Sequence, residues 1–509
     1  MKGKFQHGGV LLFIIFFIAL ILPVLKFRFF LTVDGPAHLY NATIIREMLT
    51  GDQSLYNLFF KFNEQLVPNW SGHFLMMLAG FIVPAWLAEK LVLLLIMISL
   101  PYVIYRILKE RNISINGSLL LILPFTFTLI FYLGFYNYLL GIALMLWMMH
   151  LITQQTGAVS KTTFWQLLSG SLILYFTHLL PLLLLMLFTG VYLLFYFRKF
   201  SNPVRTASTF ALAFMPAVVL AIIFMSKRGV EGYQGKVNFI PSGQLFEWLY
   251  LGQPFIGLNC DQEQIGVFVF MVALLIAFVF TVFKNITTKP DTDSRIWLWM
   301  ALVIFVCYFV VPDGMASGGF ISLRLLLLFY LLVVIYILLN QRPAWMNAIL
   351  GIVGIVASFY AFVYRHDVAK EQSNFADDFI EAASELPQRS VVLPLNYSGN
   401  WLHTNISNYM GAVPGIVVLD NYEAKLKEFP LVWKQIGVVD SLGNFGQSLN
   451  PTITIEKYEN LTGLEVTAVT RFNFIPNKDD SISEATNKLL LEKFRLVKKI
   501  NQTEVFIRR

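Results

Sequence analysis

The chain has 509 residues, of which 57% are hydrophobic and only 14% are charged, and its mean hydropathy is +0.64. Soluble proteins contain about a quarter charged residues, so this composition excludes a soluble globular protein and indicates a polytopic membrane protein. The net charge of +7 reflects Lys and Arg in loops and does not indicate nucleic-acid binding. Two cysteines, Cys260 and Cys307, are too few for a disulfide framework.

Apolar runs recur along the first 364 residues. A membrane-spanning helix needs about 20 predominantly apolar residues. The first run follows Lys2 and Lys4 and is not followed by a small-residue cleavage site, which predicts a retained signal anchor with its N-terminus inside. The candidate spans are 8–25, 91–107, 117–135, 137–153, 163–178, 179–197, 205–225, 265–283, 295–311, 322–340 and 345–363.

Basic clusters between these runs predict the orientation. The positive-inside tendency places such clusters in the cytoplasm, which requires the shorter run 72–87 not to cross the membrane. We therefore expect eleven spans, external loops at 30–71 and 226–264, and an external C-terminus. The clusters lie at 106–111, 198–205 and 284–295.

From about residue 365 the composition becomes that of a small α/β domain. Residues 367–386, 421–429 and 481–493 have helical patterns. We predict a transmembrane domain over 1–364 and an extracytoplasmic α/β domain over 365–509, a normal size for one domain. The strand-like runs are 390–395, 415–419, 452–455, 464–472, 494–500 and 504–508.

An acid and an imidazole lie four residues apart where the first apolar run ends. If a helix begins near Pro36, Asp34 occupies its N-cap and His38 projects from its first turn. Asp34 is a candidate general base or metal ligand, and His38 is a candidate partner or phosphate contact. The alternative is that Asp34 only caps the helix and His38 is an interfacial polar residue.

The far end of the same loop offers a second polar group. Glu64 is a candidate second carboxylate, and Trp70 a candidate platform for stacking a sugar. Asn69 and His73 would close the same site. Trp70 and His73 are also typical of interfacial anchors, so that interpretation stays open.

Two further residues lie within or beside apolar runs at the expected external side. His178 must face protein or water, because an ionisable group in lipid is costly. Arg324 follows the glycine-rich segment 312–319, and its planar guanidinium can bind a phosphate through two hydrogen bonds. The alternatives are a histidine bonded to a backbone carbonyl and a snorkelling arginine. Asp313 lies close enough in sequence to pair with Arg324.

In the C-terminal region, Trp401 and His403 and the segment 420–423 each follow a strand-like run. Loops at strand ends commonly hold ligands, so Trp401 and His403 are candidate substrate contacts. The alternative is that they are ordinary residues of polar loops. The chain shows no CxxC motif or His/Cys cluster, so a divalent metal is compatible with the sequence but not indicated by it.

This layout resembles the GT-C superfamily of integral membrane glycosyltransferases, in particular poorly characterised bacterial branches. The resemblance rests on the signal anchor, the long first external loop opening with Asp34, the stretch 72–87 and the external α/β domain. It implies that Asp34 is catalytic and that Arg324 holds a lipid phosphate. The family often has two adjacent acids, whereas here Gly35 follows Asp34.

The resemblance implies hexosyl or pentosyl transfer from a polyprenyl-phosphate sugar to a glycan, lipid or protein acceptor, at a bacterial cytoplasmic (inner) membrane. One carboxylate acting with a phosphate leaving group suits inversion, unlike the carboxylate pair of soluble glycosidases. A lipid-linked glycan transporter or flippase and a non-catalytic membrane assembly protein are the alternatives, because a fold alone does not fix function.

Overall fold

The chain divides into two compact units, which interleave along the sequence. The first unit contains residues 1–23 and 95–367, and the second contains residues 24–94 and 368–509. The computed structural model describes residues 2–51, 54–155, 158–230, 237–287, 294–314, 318–426, 428–435, 451–475 and 481–509.

The described residues are mostly helical. The α-helices, in chain order, are α1 (Lys2–Leu20), α2 (Leu22–Lys26), α3 (Gly35–Thr50), α4 (Tyr56–Phe59), α5 (Ser71–Gly80), α6 (Ala85–Glu110), α7 (Leu129–Tyr132), α8 (Tyr136–Thr153), α9 (Lys161–Thr177), α10 (Leu179–Tyr196), α11 (Pro203–Val230), α12 (Ser242–Leu251), α13 (Cys260–Thr287), α14 (Arg295–Val310), α15 (Ile321–Leu339), α16 (Ala344–Phe359), α17 (Phe362–Ser384), α18 (Pro451–Thr462) and α19 (Ser481–Lys493). Short 3₁₀ helices cover Gly117–Phe125, Phe197–Lys199, Gln253–Phe255, Trp401–His403, Ile406–Ala412 and Glu423–Lys425.

The strands are β1 (Phe60–Phe62), β2 (Val391–Asn396), β3 (Val417–Val418), β4 (Leu431–Trp433), β5 (Ala468–Phe472), β6 (Phe494–Ile500) and β7 (Thr503–Arg508). All of them belong to the second unit.

Seven helical segments in the described part of the chain are long and apolar enough to cross a membrane: α6, α8, α10, Pro203–Lys227 of α11, α13, α15, and Ala344–Ser384, which combines α16 and α17. Gly8–Leu20 and Arg295–Val310 are shorter apolar helices. The multi-span helical architecture is therefore confirmed, whereas the count of eleven spans is not.

Two apolar stretches differ from continuous α-helices. The predicted span 117–135 is wrong as one α-helix, because it folds as the 3₁₀ helix Gly117–Phe125 followed by α7. Pro124 has no N–H to donate to an α-helical hydrogen bond. A new helix, α7, begins after Thr128, whose Oγ1 accepts from the Phe131 amide at 3.2 Å. The run 72–87 is likewise divided between α5 and the start of α6, and α5 alone is only about 15 Å long.

The second unit is built on a mixed five-stranded sheet with strand order β3-β2-β5-β7-β6. Strand β2 pairs parallel with β3 and β5, and the β5–β7 and β7–β6 pairs are antiparallel. The strand predicted at 452–455 is wrong, since these residues lie in α18. The helix predicted near 421–429 is also wrong, since the described residues there form only the short 3₁₀ helix Glu423–Lys425. Pro451 is the first residue of that helix, a position where its missing N–H and fixed φ angle are tolerated.

The first long loop forms part of this second unit. Strand β1 pairs antiparallel with β4, with Phe60 opposite Trp433, and their rings stack at 4.1 Å. Arg28 forms an ion pair with Asp377 at 2.9 Å, and Tyr56 donates its hydroxyl hydrogen to the carbonyl of Ile416. The loop is therefore held by strand pairing as well as by side chains.

Helix α3 packs against the 3₁₀ helix Ile406–Ala412 at a position where only glycine fits. Tyr40 is fully buried on α3, and a Cβ added to Gly411 would lie 2.1 Å from its ring. The absence of a side chain at Gly411 thus sets the distance between α3 and the C-terminal region.

We expect Gly411→Ala to destabilise the second unit by about 1–3 kcal/mol, because overpacking forces the Tyr40 ring or the backbone to move. The measurement is the thermal unfolding midpoint of the full chain in detergent. Gly399→Ala is the matched control, since no atom lies within 4 Å of its added Cβ. Equal midpoints for the two variants would contradict this account.

Candidate functional site

Asp34 stands at the N-cap position of α3, as the sequence predicts, but its side chain makes no capping hydrogen bond. The expected capping role is therefore wrong. Thr32 Oγ1 instead accepts from the Gly35 amide at 3.1 Å, and Pro36 lies in the first turn. The Asp34 carboxylate is thus left for other contacts.

Those contacts come from the C-terminal region of the second unit. Asn405 Nδ2 donates to Asp34 Oδ1 at 3.3 Å, and Tyr422 is hydrogen-bonded to the same carboxylate. Burial raises the pKa of Tyr422 well above its ordinary value, and the charges of Asp34 and Glu423 raise it further. The Tyr422 hydroxyl therefore keeps its proton and donates a hydrogen bond to the Asp34 carboxylate.

A buried cluster lies one helical turn further along α3. His38 Nδ1 is 2.7 Å from Glu423 Oε1, and His73 Nε2 is 2.8 Å from Glu423 Oε2. The two imidazole nitrogens are 3.3 Å apart, and the rings meet edge to face. His38 is 4% exposed, and His73 and Glu423 are fully buried. The cluster joins α3, α5 and the 3₁₀ helix Glu423–Lys425.

The carboxylate at the centre of this cluster is held ionised. Burial by itself raises the pKa of Glu423, but the charges and hydrogen bonds of His38 and His73 outweigh it and leave the pKa below the ordinary range. Asn41 Nδ2 also donates to Glu423 Oε2 at 2.5 Å, and Asn421 Nδ2 donates to Asn41 Oδ1 at 2.6 Å. An amide chain from α3 and from the residues before Glu423 therefore orients the carboxylate.

The structure does not bring every predicted loop residue to this cluster. Glu64 pairs with Lys61 at 2.6 Å with its side chain 79% exposed, so Glu423 supplies the carboxylate expected from Glu64. The carbonyl of Asn69 accepts from His73 Nδ1 at 3.1 Å. Trp70 is half-buried at the start of α5.

His403 is a packed structural residue rather than an available ligand contact. Its Nδ1 is 2.7 Å from Ser398 Oγ and its Nε2 is 2.5 Å from Gln372 Oε1, so both nitrogens are occupied. Burial lowers the pKa of His403 to about 4, which keeps the ring neutral. The structure therefore argues against His403 as a substrate contact, whereas neighbouring Trp401 is 38% exposed.

In the first unit, His178 and Arg324 lie together. His178 caps α10 and accepts from the Leu180 amide through Nδ1 at 3.1 Å, so its ring proton is on Nε2. That Nε2 lies 3.2 Å from Arg324 Nη1. Two N–H donors therefore face the same space, and an anionic oxygen is the group that would accept from both.

Aromatic rings hold the guanidinium in place. Arg324 is 8% exposed, and its Cζ lies 4.1 Å from the Phe135 ring centroid and 5.5 Å from that of Tyr138. Tyr138 also donates its hydroxyl hydrogen to the Arg324 carbonyl at 2.8 Å. Asp313 accepts from the Ser322 amide at 2.9 Å and so supports the beginning of α15. This arrangement fixes a planar cation near the beginning of a predicted span.

Several residues of these clusters gave no clear signal in the sequence. Glu423 belongs to the segment 420–423, which sequence patterning singles out, but nothing in the sequence connects it with His38. Asn405 and Tyr138 resemble any other polar or aromatic residue in this chain. Their roles follow from tertiary contacts alone.

Many apolar helices together with a mixed five-stranded sheet define a multi-span membrane protein with an α/β region. Two crystal structures of ArnT from Cupriavidus metallidurans share this fold. The one bound to undecaprenyl phosphate has a TM-score of 0.60 at 11% identity, and the apo one has a TM-score of 0.57 at 12% identity. Each match covers 98% of both chains. The expected fold class, a multi-span helical membrane protein with a C-terminal α/β region, is confirmed.

Comparison with protein-family models gives no match, and no curated protein matches the sequence.

Asp420 provides a pH-dependent test of this region. Burial raises its pKa to about 7, against the hydrogen bond from Ser407. An unfolded Asp has a pKa of about 3.9, so between about pH 4 and 7 the folded chain holds a proton that the unfolded chain has lost. The free energy of unfolding should therefore fall as pH rises through this window, by about 1.4 kcal/mol per unit of pKa difference.

We expect Asp420→Asn to remove this dependence, because the amide does not ionise. The measurement is the unfolding midpoint of both proteins between about pH 4 and pH 7, the window that ends at the Asp420 pKa of about 7. Parallel curves for the two proteins would show that Asp420 does not titrate in this window.

Proposed function

We propose that this chain is an integral membrane glycosyltransferase, which moves a sugar from a polyprenyl-phosphate donor to an acceptor outside the cytoplasm. The observation that carries the proposal is the fold shared with ArnT over 98% of both chains, in a relative whose crystal structure contains undecaprenyl phosphate. That compound is itself a polyprenyl phosphate. The proposal assigns the same chemical class of carrier lipid to this chain.

Asp34 is proposed as the general base. Its carboxylate is free of the capping role and is oriented by Asn405 and Tyr422. In the reaction, Asp34 takes the proton of an acceptor hydroxyl, the acceptor oxygen bonds to the anomeric carbon, and the bond from that carbon to the lipid phosphate breaks. A single displacement of this kind inverts the anomeric configuration. The polyprenyl phosphate leaves with the electron pair.

Arg324 and His178 are proposed to bind the donor phosphate. Their converging N–H groups suit an anionic oxygen, and the rings of Phe135 and Tyr138 keep the guanidinium in one orientation. Positive charge at this place stabilises the phosphate as it departs. The half-buried Trp70 and the exposed Trp401 remain proposed sugar or acceptor contacts.

The proposed orientation follows the basic clusters of the sequence. With these in the cytoplasm, the N-terminus lies inside, and the C-terminal α/β region, proposed as a domain from residue 365, lies outside. The acceptor is then a glycan, lipid or protein on the outer side of the membrane. Asp34 precedes α3 in the first external loop, on the same side as the C-terminal region.

We expect Asp34→Asn to lower sugar transfer by about 100-fold or more, the usual contribution of a general base. The measurement is transfer from a panel of undecaprenyl-phosphate hexoses and pentoses by the full chain in proteoliposomes. Glu64→Gln is the matched control, because that carboxylate is exposed and paired only at the surface. Undiminished transfer by a folded Asp34→Asn protein would refute the catalytic role of Asp34.

Arg324→Lys should weaken donor use by about tenfold, or ~1.4 kcal/mol, because lysine keeps the charge but loses the planar fork and its stacking. The loss should appear in KM for the donor and in direct binding of undecaprenyl phosphate. Arg106→Lys is the control, since Arg106 forms an exposed ion pair with Glu110 at 2.6 Å. Equal donor affinity in the two variants would exclude Arg324 as the phosphate contact.

A further inference from the structure

We propose that His38, His73 and Glu423 form a zinc site in the second unit. Each residue offers one ligand atom, and the three atoms lie within 4.8 Å of one another. All three residues are buried. Two imidazoles with one carboxylate are a recurrent zinc ligand set, which leaves a fourth position for water.

The orientation of His73 is the strongest argument for a cation in this cluster. His73 Nδ1 faces the carbonyl oxygen of Asn69 at 3.1 Å, and since a carbonyl only accepts, Nδ1 carries the ring proton. In a neutral ring, the Nε2 lone pair then points at Glu423 Oε2, only 2.8 Å away. Two electron-rich atoms at this distance repel each other unless a positive charge lies between them, which is either a second ring proton, as in an ion pair, or a metal ion that replaces that proton.

Neighbouring residues hydrogen-bond to the proposed ligands, as they do around metal ligands in proteins. A ligating histidine usually donates its other N–H to a carbonyl or carboxylate, as His73 does here. Asn69 adopts a left-handed backbone, with φ of 65°, so a strained residue places that carbonyl. Asn41 bonds the carboxylate of Glu423, and the Phe429 ring meets His73 edge to face at 5.8 Å. Polar contacts thus orient the ligands beside an aromatic ring.

The distances suit zinc after a small adjustment. Zinc–nitrogen bonds of about 2.0–2.1 Å at tetrahedral angles put ligand atoms about 3.3 Å apart. His38 Nδ1 and His73 Nε2 are already 3.3 Å apart. Glu423, at 2.7 and 2.8 Å from the two nitrogens, would move outward by about half an ångström to reach the same spacing. Imidazole ligands favour zinc over magnesium or calcium, which prefer oxygen.

A metal ion at this site would hold neighbouring elements of the second unit in position. It would join α3, α5 and the 3₁₀ helix Glu423–Lys425, and His38 lies one helical turn after Asp34 on α3. The same ion would therefore fix Tyr422 beside Asp34. The inference does not rest on the proposed sugar transfer, because it follows from the ligand geometry alone.

The test measures the metal rather than activity. The full chain is purified in detergent with a tag that contains no histidine, and zinc is measured by mass spectrometry. We expect about one zinc ion per chain in the wild type, and a loss of most of it in Glu423→Gln and His73→Ala. His150→Ala is the matched control, because His150 is a buried histidine that also pairs with a carboxylate, that of Glu110 at 2.9 Å, outside this cluster. That variant should keep its zinc.

A second measurement needs no variant. The wild-type protein is stripped with a chelator and titrated with Zn²⁺, which should raise the unfolding midpoint because the ion binds the folded state. Co²⁺ in its place should give the visible absorption of a tetrahedral N/O site. If the stripped chain binds neither ion and its midpoint does not change, a second ring proton is the cation in this cluster and the zinc proposal is refuted. Equal zinc loss in His150→Ala would also overturn it.

Discussion

The second unit depends on the burial of Glu423 between His38 and His73. An ionised carboxylate without partners is too costly to bury, so this cluster exists only when α3 and α5 meet the C-terminal region. Removing one partner of a buried ion pair typically costs about 3–5 kcal/mol. His73 and Glu423 are 350 residues apart in sequence, so the contact joins the first loop to the last third of the chain.

This constraint also determines the environment of Asp34. Tyr422 precedes Glu423 directly and donates to Asp34, and Asn405 reaches the same carboxylate. Gly411 allows α3 to approach the C-terminal region closely enough for these contacts. The proposed base is therefore positioned by residues from the other end of the sequence. In the first unit, by contrast, aromatic rings and the capping of α10 position Arg324 and His178.

Local patterns predicted much of the secondary structure and failed where local and tertiary preferences disagree. Long apolar runs form long helices, and the strand-like runs 494–500 and 504–508 form β6 and β7. The run 117–135 failed because Pro124 interrupts α-helical bonding. Residues 452–455 have a strand-like pattern but lie in α18, because β propensity depends strongly on packing.

The sequence by itself determined the membrane class, the GT-C resemblance and the prominence of Asp34, since composition and apolar length depend only on local chemistry. Only the tertiary structure decided which groups act together. In the tertiary structure Glu423, rather than Glu64, lies beside His38 and His73. Both nitrogens of His403 are hydrogen-bonded, and His178 contacts Arg324. Such pairings join residues distant in sequence, and they depend on packing that no local pattern encodes.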